Sequence, residues 1–448
     1  MEENTEAKEP AIEHTEEKEK PEPLIDISKE ELKIEEPKKE ALPPAPPVTP
    51  AVAPAILPTE KKEVPASSPF DKRLLQKNNP LLLPTERVSL IFKIVIGALI
   101  VTAIGLTIFF FSKKEDAPVV VKDEYTATEL ASLTWQEATA QAPWQERDAP
   151  AAFLFNNAMY IAGGIDGNEV TRQKSVAYWN APHFNDVWKT ENGKDWTRVT
   201  KQAEWSNRRS MSIVPFNGKL FMIGGWSPEG GYKKIGIWTS TDGIDWEKAV
   251  ETPDYPPREG ATIEVFNGKL WMMGGVNFDN RETLNDVWSS SDGLHWQQAT
   301  TTIPWSPRYD HATFVYKDKI WLTAGRHLDG TASSDVWSSS DGSNWELVLD
   351  NAPFGHRHGH TMVVYKGAMW VIGGWDTDLD TGFQTAWFST DGKTWNKTVI
   401  DDPWVGREDH SVLVHNDKIW VYAGMTTGYK WVSDVWSASL STTTLKTN

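Results

Sequence analysis

Arg258-Glu259-Gly260-Ala261-Thr262-Ile263-Glu264-Val265-Phe266-Asn267-Gly268-Lys269-Leu270-Trp271-Met272-Met273-Gly274-Gly275 is the stretch from which the architecture of this chain can be read. Residues 261–266 form an apolar run with strand character, and Asn267-Gly268 is the dipeptide of a tight hairpin. Residues 270–273 read as a second strand, stopped by the glycine pair. Downstream, residues 287–290 read as a third strand, Asp292-Gly293 as a turn, and residues 296–299 as a fourth. Four short antiparallel strands in about 50 residues describe one blade of a β-propeller.

The pattern recurs six times. Small-residue pairs stand at Gly163-Gly164, Gly224-Gly225, Gly274-Gly275, Ala324-Gly325, Gly373-Gly374 and Ala423-Gly424. An aromatic residue followed three positions later by arginine keeps the same beat: Trp144/Arg147, Trp205/Arg208, Tyr255/Arg258, Trp305/Arg308, Phe354/Arg357 and Trp404/Arg407. A tryptophan follows each small pair, from Trp188 to Trp436, and a turn with a second tryptophan comes after it in five copies. The sixth copy ends without that last strand, whereas Leu133-Thr134-Trp135-Gln136 stands before the first copy as a fourth strand without a blade. Residues near 133–139 are therefore expected to complete the sixth blade, which leaves few open strand edges.

The glycine pair after an apolar strand, the later tryptophan and the blade length resemble the kelch repeat, over roughly residues 133–440 and all six copies. The resemblance implies a six-bladed propeller. Function is left open by it, because kelch propellers include protein-binding adaptors, sugar-processing enzymes and a copper oxidase. The copper chemistry is excluded here, since its cross-linked tyrosine needs a cysteine and the chain has none. Disulfides and thiolate metal sites are excluded on the same ground.

The remainder is different in kind. Residues 1–86 hold 15 of the 28 prolines, 19 acidic and 12 basic side chains, and no aromatic residue except Phe70. Such a segment buries too little apolar surface to offset the entropy of ordering and is expected to be a disordered acidic tail. Residues 94–111 contain no ionisable group. They would span about 27 Å as a helix, so a transmembrane helix is expected over 87–112. Lys72, Arg73, Lys77, Arg87 and Lys93 lie on its N-terminal side, and Lys113, Lys114 and Lys122 on the other. This bias places the N-terminus in the cytoplasm and the propeller outside, in a single-pass cell-membrane protein. Residues 113–132 read as a linker, and 441–448 as a C-terminal tail. A net charge of −17 argues against nucleic acid as a partner.

The first-to-second and third-to-fourth turns are tight and share one face. The long loops share the other, together with Arg147, Arg208, Arg258, Arg308, Arg357 and Arg407. Six guanidiniums near one opening would grip carboxylates. An insertion in the first blade adds Tyr178, Trp179, His183 and Phe184 to that face. The ligand-binding set expected from sequence is thus the six arginines with Tyr178 and Trp179.

Other constellations are weaker. His311, His360 and His410 each follow a ring arginine by three positions, with His356 and His358 nearby, but the spacing is that of the repeat and no metal is expected. Asp376-Thr377-Asp378-Leu379-Asp380-Thr381-Gly382 resembles a calcium loop whose glycine comes one residue late. Ser240-Thr241-Asp242-Gly243-Ile244-Asp245-Trp246 resembles the Asp-box of sialidases, with one residue fewer between aspartate and glycine. No cofactor is expected. The expected function is a non-catalytic scaffold binding a protein or glycan through the arginine-bearing face. The alternatives are a carbohydrate-active enzyme on acidic sugars, an epimerase or sialidase-like hydrolase, or a passive part of an envelope assembly. An epimerase or hydrolase would use Glu259, Glu408 or His358 for proton transfer. Tyr178, Tyr309 and Tyr429 are the tyrosines open to a nucleophilic role in a sialidase-like enzyme.

Overall fold

The computed structural model describes residues 124–168, 178–400 and 404–440. They belong to one compact unit, Lys122–Asn448. Six four-stranded antiparallel sheets resemble propeller blades. Blade 1 comprises Ala151–Phe155, Ala158–Ala162, Val187–Thr190 and Thr197–Thr200. Blade 2 comprises Arg209–Phe216, Lys219–Trp226, Ile237–Ser240 and Glu247–Val250. Blade 3 takes Thr262–Phe266, Lys269–Met273, Val287–Ser290 and Gln297–Thr300, each within a residue of the sequence reading. Blade 4 takes Ala312–Tyr316, Lys319–Arg326, Ala332–Ser339 and Glu346–Leu349. Blade 5 takes Thr361–Tyr365, Ala368–Ile372, Thr385–Ser389 and Asn396–Val399. In blade 6, Ser411–His415, Lys418–Tyr422 and Val435–Leu440 are completed by Leu133–Thr139 from the other end of the unit.

Two corrections follow. The expectation of an all-β propeller behind a membrane helix gives way to six separate sheets that are not joined into a closed barrel. A one-turn helix, Ala127–Leu130, capped by Thr126 and Glu129, precedes them. The single-pass topology, and with it the membrane as partner and the cell-membrane localisation, is also withdrawn. Among the described residues no helix is long and apolar enough to cross a membrane. The stretch 87–112 on which it rested lies outside the described residues, as do the tail 1–86, most of the linker and residues 441–448.

The blades meet through aromatic rings laid on glycines. In blades 1 to 5 the glycine of the turn before the fourth strand has positive φ, and its bare Cα faces an aromatic ring of the preceding blade. A Cβ on Gly342 would lie 2.3 Å from the Trp271 ring, and one on Gly392 2.2 Å from that of Trp321. Gly193 of blade 1 meets Trp420 of blade 6 in the same way. The tryptophan wealth of the chain is thus placed in the joints between blades.

A second ring is made of backbone. The residue two positions after each repeat arginine has a left-handed conformation: Ala149, Ser210, Gly260, Asp310, Gly359 and Asp409, with φ between 47° and 63°. Amides pass from one blade to another here. Ala149 N–H donates to Asp409 O (2.9 Å), Ser210 to Ala149 (2.9 Å), Asp310 to Gly260 (3.1 Å), Gly359 to Asp310 (2.9 Å) and Asp409 to Gly359 (2.8 Å). This circle brings the intervening residues, one from each blade, around a common axis.

Candidate functional site

The six repeat arginines are not a free ring. Each is buried to 1% exposure or less. Arg258 shows the common arrangement. Its Nε donates to Pro256 O (2.9 Å), Nη1 to Gly274 O (2.8 Å), and both Nη atoms grip Asp286 (2.5 and 2.8 Å). Trp288 Nε1 donates to the same carboxylate at 2.7 Å. Arg147 with Asp186, Arg308 with Asp335 and Arg407 with Asp434 repeat the grip. Blades 2 and 5 lack the acid, having Gly236 and Thr385 in its place. There the guanidinium has only carbonyls, a serine hydroxyl or aromatic faces: Arg208 meets Ser206 Oγ and Ile235 O, and Arg357 meets Gly373 O and the Phe383 ring at 3.9 Å. Burial pulls these two down, Arg208 to about 10 and Arg357 to about 9.

The chemistry lies one residue further on. Asp148, Arg209, Glu259, Tyr309, His358 and Glu408 follow the six arginines and are held by antiparallel bridges to the residue after each small pair. Arg209 is at the centre of one half. Its Nε donates to Glu259 Oε2 (2.9 Å), and Tyr232 Oη donates to Glu259 Oε1 (2.7 Å). The guanidinium lies between the Tyr178 ring (4.9 Å) and the Trp226 ring (5.0 Å), a two-sided cation–π clamp. Burial works against its charge, but the Glu259 carboxylate outweighs this and holds Arg209 above its ordinary value. Its Nη1 is buried and has no hydrogen-bond partner.

Beside it, Asp148 is 2% exposed and its Oδ1 also has no partner. Burial pushes the Asp148 carboxyl up to about 8, reinforced by Glu408 and Asp310 and opposed by the Trp431 indole and Arg209. It therefore carries a proton at neutral pH. Asp310 rises to about 7 and Asp409 well above the usual carboxylate range, burial again first. Across the axis, His358 Nδ1 meets Glu408 Oε2 at 3.0 Å, with both side chains nearly buried. Glu259, Glu408 and His358, the proton-transfer candidates of the sequence, thus stand in the cluster, His358 and Glu408 paired with each other and Glu259 held by Arg209 and Tyr232.

Tyr178 and Trp179 pack edge to face at 6.1 Å, and Tyr178 leans on Trp431 at 6.4 Å. Asn168 ties this corner to blade 6 through Glu146 Oε2 and the Trp431 carbonyl. Trp375, Met425 and Trp431, with Tyr178 and Tyr429, continue the aromatic wall. Tyr429 donates to Asp380 at 2.6 Å, and Asp376 closes its own turn through the amides of Asp378 and Leu379. The acidic loop is therefore a hydrogen-bonded turn. His311 and His360 bond Thr262 and Thr323 of the adjoining blade (3.1 and 2.9 Å), and burial holds His311 and His410 near 3, hence neutral. No group of three or more His, Asp or Glu among the described residues is placed to hold a metal. A cavity of about 230 Å³ opens at the tight-turn face beside Lys194, Lys418 and Trp420, remote from the titrating cluster.

No family model and no curated protein matches the chain. Among solved structures, that described as the "Structure of YjhT" is similar. The TM-score is 0.53 at 16% identity, over 66% of this chain and 96% of that one. The likeness concerns the fold. It replaces the kelch-repeat resemblance, which no family match supports. The expectation of a non-catalytic kelch scaffold rested in part on that resemblance and is withdrawn with it. The axial cluster is hard to see in the sequence because the residue that all copies share is the arginine before it. Arginine is the same in six copies and structural; its successor is Asp, Arg, Glu, Tyr, His and Glu, and that variation was the signal.

Proposed function

We propose that the chain is a carbohydrate-active enzyme, an epimerase or a sialidase-like hydrolase, that works at the anomeric centre of an acidic sugar bound at the axial cluster. One observation carries the reading. A buried cationic donor, Arg209 Nη1, and a buried carboxyl oxygen, Asp148 Oδ1, stand without partners in the same cluster. Each such atom costs about 1–3 kcal/mol if it stays unpaired, and more when charged. A carboxylate on the sugar would satisfy the arginine, and a sugar oxygen would satisfy the acid. The protonated Asp148 is suited to give a proton to a departing oxygen. The aromatic wall of Tyr178, Trp375 and Trp431 suits the apolar face of a pyranose.

The test is proton NMR, of the anomeric signals for the uronic acids and of the C3 methylene signals for the sialic acids, whose anomeric carbon bears no hydrogen. Full-length protein is given sialic-acid and uronic-acid glycosides, the free sugars, and the carboxamide of each. We expect conversion of the acids, a raised KM in Arg209→Lys, and kcat lowered by ~10²–10⁴-fold in Asp148→Asn. Equal turnover of the carboxamides, or none of the acids, would rule the reading out.

A further inference from the structure

Asp148, Ile165 and His183 form three adjacent rungs of a small antiparallel patch. Asp148 and Ile165 exchange both backbone hydrogen bonds (3.0 and 3.1 Å), while the Ile165–His183 pair lies between the bonds Asp166 N–H to Pro182 O and Phe184 N–H to Gly164 O. Residues directly opposite across a ladder share a face, about 5.5 Å apart in the first kind of pair and about 4.5 Å in the second. Asp148 and His183 therefore project from one face, about 10 Å apart at the backbone, with Ile165 as floor.

The imidazole is fixed in one tautomer. His183 Nδ1 lies 2.8 Å from Ala181 O, and a carbonyl can only accept, so Nδ1 carries the hydrogen and Nε2 the lone pair. That Nε2 is buried and has no hydrogen-bond partner. The ring leans on Trp226 at 5.3 Å with the planes tilted by 50°, and the Arg209 guanidinium lies over the same indole. We propose that His183 is a second catalytic residue of this site, the general base that works opposite the acid Asp148.

The inference rests on the reading of the site as a sugar-processing centre. In a hydrolytic turnover, water attacks the anomeric carbon and gives its proton to His183 Nε2. The carbon–oxygen bond to the leaving group breaks, and that oxygen takes the proton of Asp148. One O–H proton is lost and one O–H bond is made, and solvent resets the two side chains. Among the described residues the charged groups facing His183 are Arg209 from blade 2 and Asp148 from the strand beyond Ile165. Burial and the Arg209 charge hold His183 down to about 4, so it is neutral wherever Asp148 is protonated between about 4 and 8.

His183→Asn keeps an N–H for Ala181 O and removes Nε2; His183→Gln puts a polar atom back near Nε2. Both are compared with wild type for kcat/KM against pH on the glycoside panel, with thermal unfolding as a check on folding. We expect a bell-shaped wild-type profile. In His183→Asn, kcat should fall ~10²-fold or more, KM should be little changed, and the acid limb should be lost. As a measurement independent of turnover, the ¹⁵N shifts of His183 should report the Nδ1–H tautomer and move on adding a uronate or sialate. An active wild type whose pH profile survives in His183→Asn would overturn the role of His183 and leave the sugar reading standing. A wild type that neither turns over nor binds any of the acids would overturn both.

Discussion

At the scale of single residues, the four Arg–Asp–Trp groups explain what the repeat conserves within this chain. A guanidinium is buried completely because its acid, a carbonyl and the chain's own turn take its hydrogens together. Removing one partner of a buried pair typically costs 3–5 kcal/mol, since the other charge is left behind. Blade 5 is the natural deletion. Arg357 has no acid, and the Thr385 hydroxyl, which occupies the acid's place, is a buried group without a partner. Thr385→Asp should therefore stabilise the protein by roughly 1.5 kcal/mol, the lower range for a hydrogen bond to a charged group, read as a raised midpoint in urea. A lowered midpoint would mean that desolvation of the new carboxylate wins. The equivalent change in blade 2 is not equivalent in effect, because a Cβ on Gly236 would meet Val250 O at 2.6 Å.

At the scale of the strand and the turn, much was legible. Residues 287–290 read as a strand and Val287–Ser290 is one, because a β-branched and an aromatic residue open a short run that ends at the Asp292-Gly293 turn. The orphan strand at 133–139 was legible for the same reason, since its missing blade could be counted. What the turns do to one another was not. In Ser389-Thr390-Asp391-Gly392-Lys393-Thr394-Trp395 the sequence shows a tight turn, but not that Trp321 of blade 4 lies flat on the glycine. Gly392→Ala should cost roughly 2–3 kcal/mol, from the Cβ clash and from a φ of +75° together. Unfolding by denaturant would read this. Gly218→Ala is the control, with similar φ (+76°) and open space around it, and should cost less by the packing share.

At the scale of the whole molecule, the titrating groups compete. His183, His311 and His410 have folded values lowered to about 4, 3 and 3, so the unfolded chain binds more protons between those values and about 6.5, and stability rises with pH there. Asp148 and Asp310 are raised to about 8 and 7, so the folded state holds protons that the unfolded one has released. Their contribution is largest below 3.8 and declines as pH rises through the folded values. From pH 6.5 to 8 only this second slope remains, worth up to about 2 kcal/mol from Asp148 alone at 1.36 kcal/mol per unit. Tm should fall across that window, and Asp148→Asn should flatten it; a Tm that rises there would contradict the neutral carboxyl. The axial cluster itself was half legible. Glu259, Glu408 and His358 stand out in the sequence as proton-transfer candidates, but the convergence of six loops is a property of the blades' mutual arrangement and not of any local stretch.

The strand Leu133–Thr139 has one more consequence, and it concerns time. Its partner Val435–Leu440 lies some 305 positions later in the chain. A ribosome delivers the early strand first, and at about 5–20 residues per second its mate emerges on the order of tens of seconds afterwards. Until then five blades can fold while Leu133 and Trp135 wait beside nothing. The final pairing is the longest loop the molecule has to close, and every nascent chain must survive the interval before it.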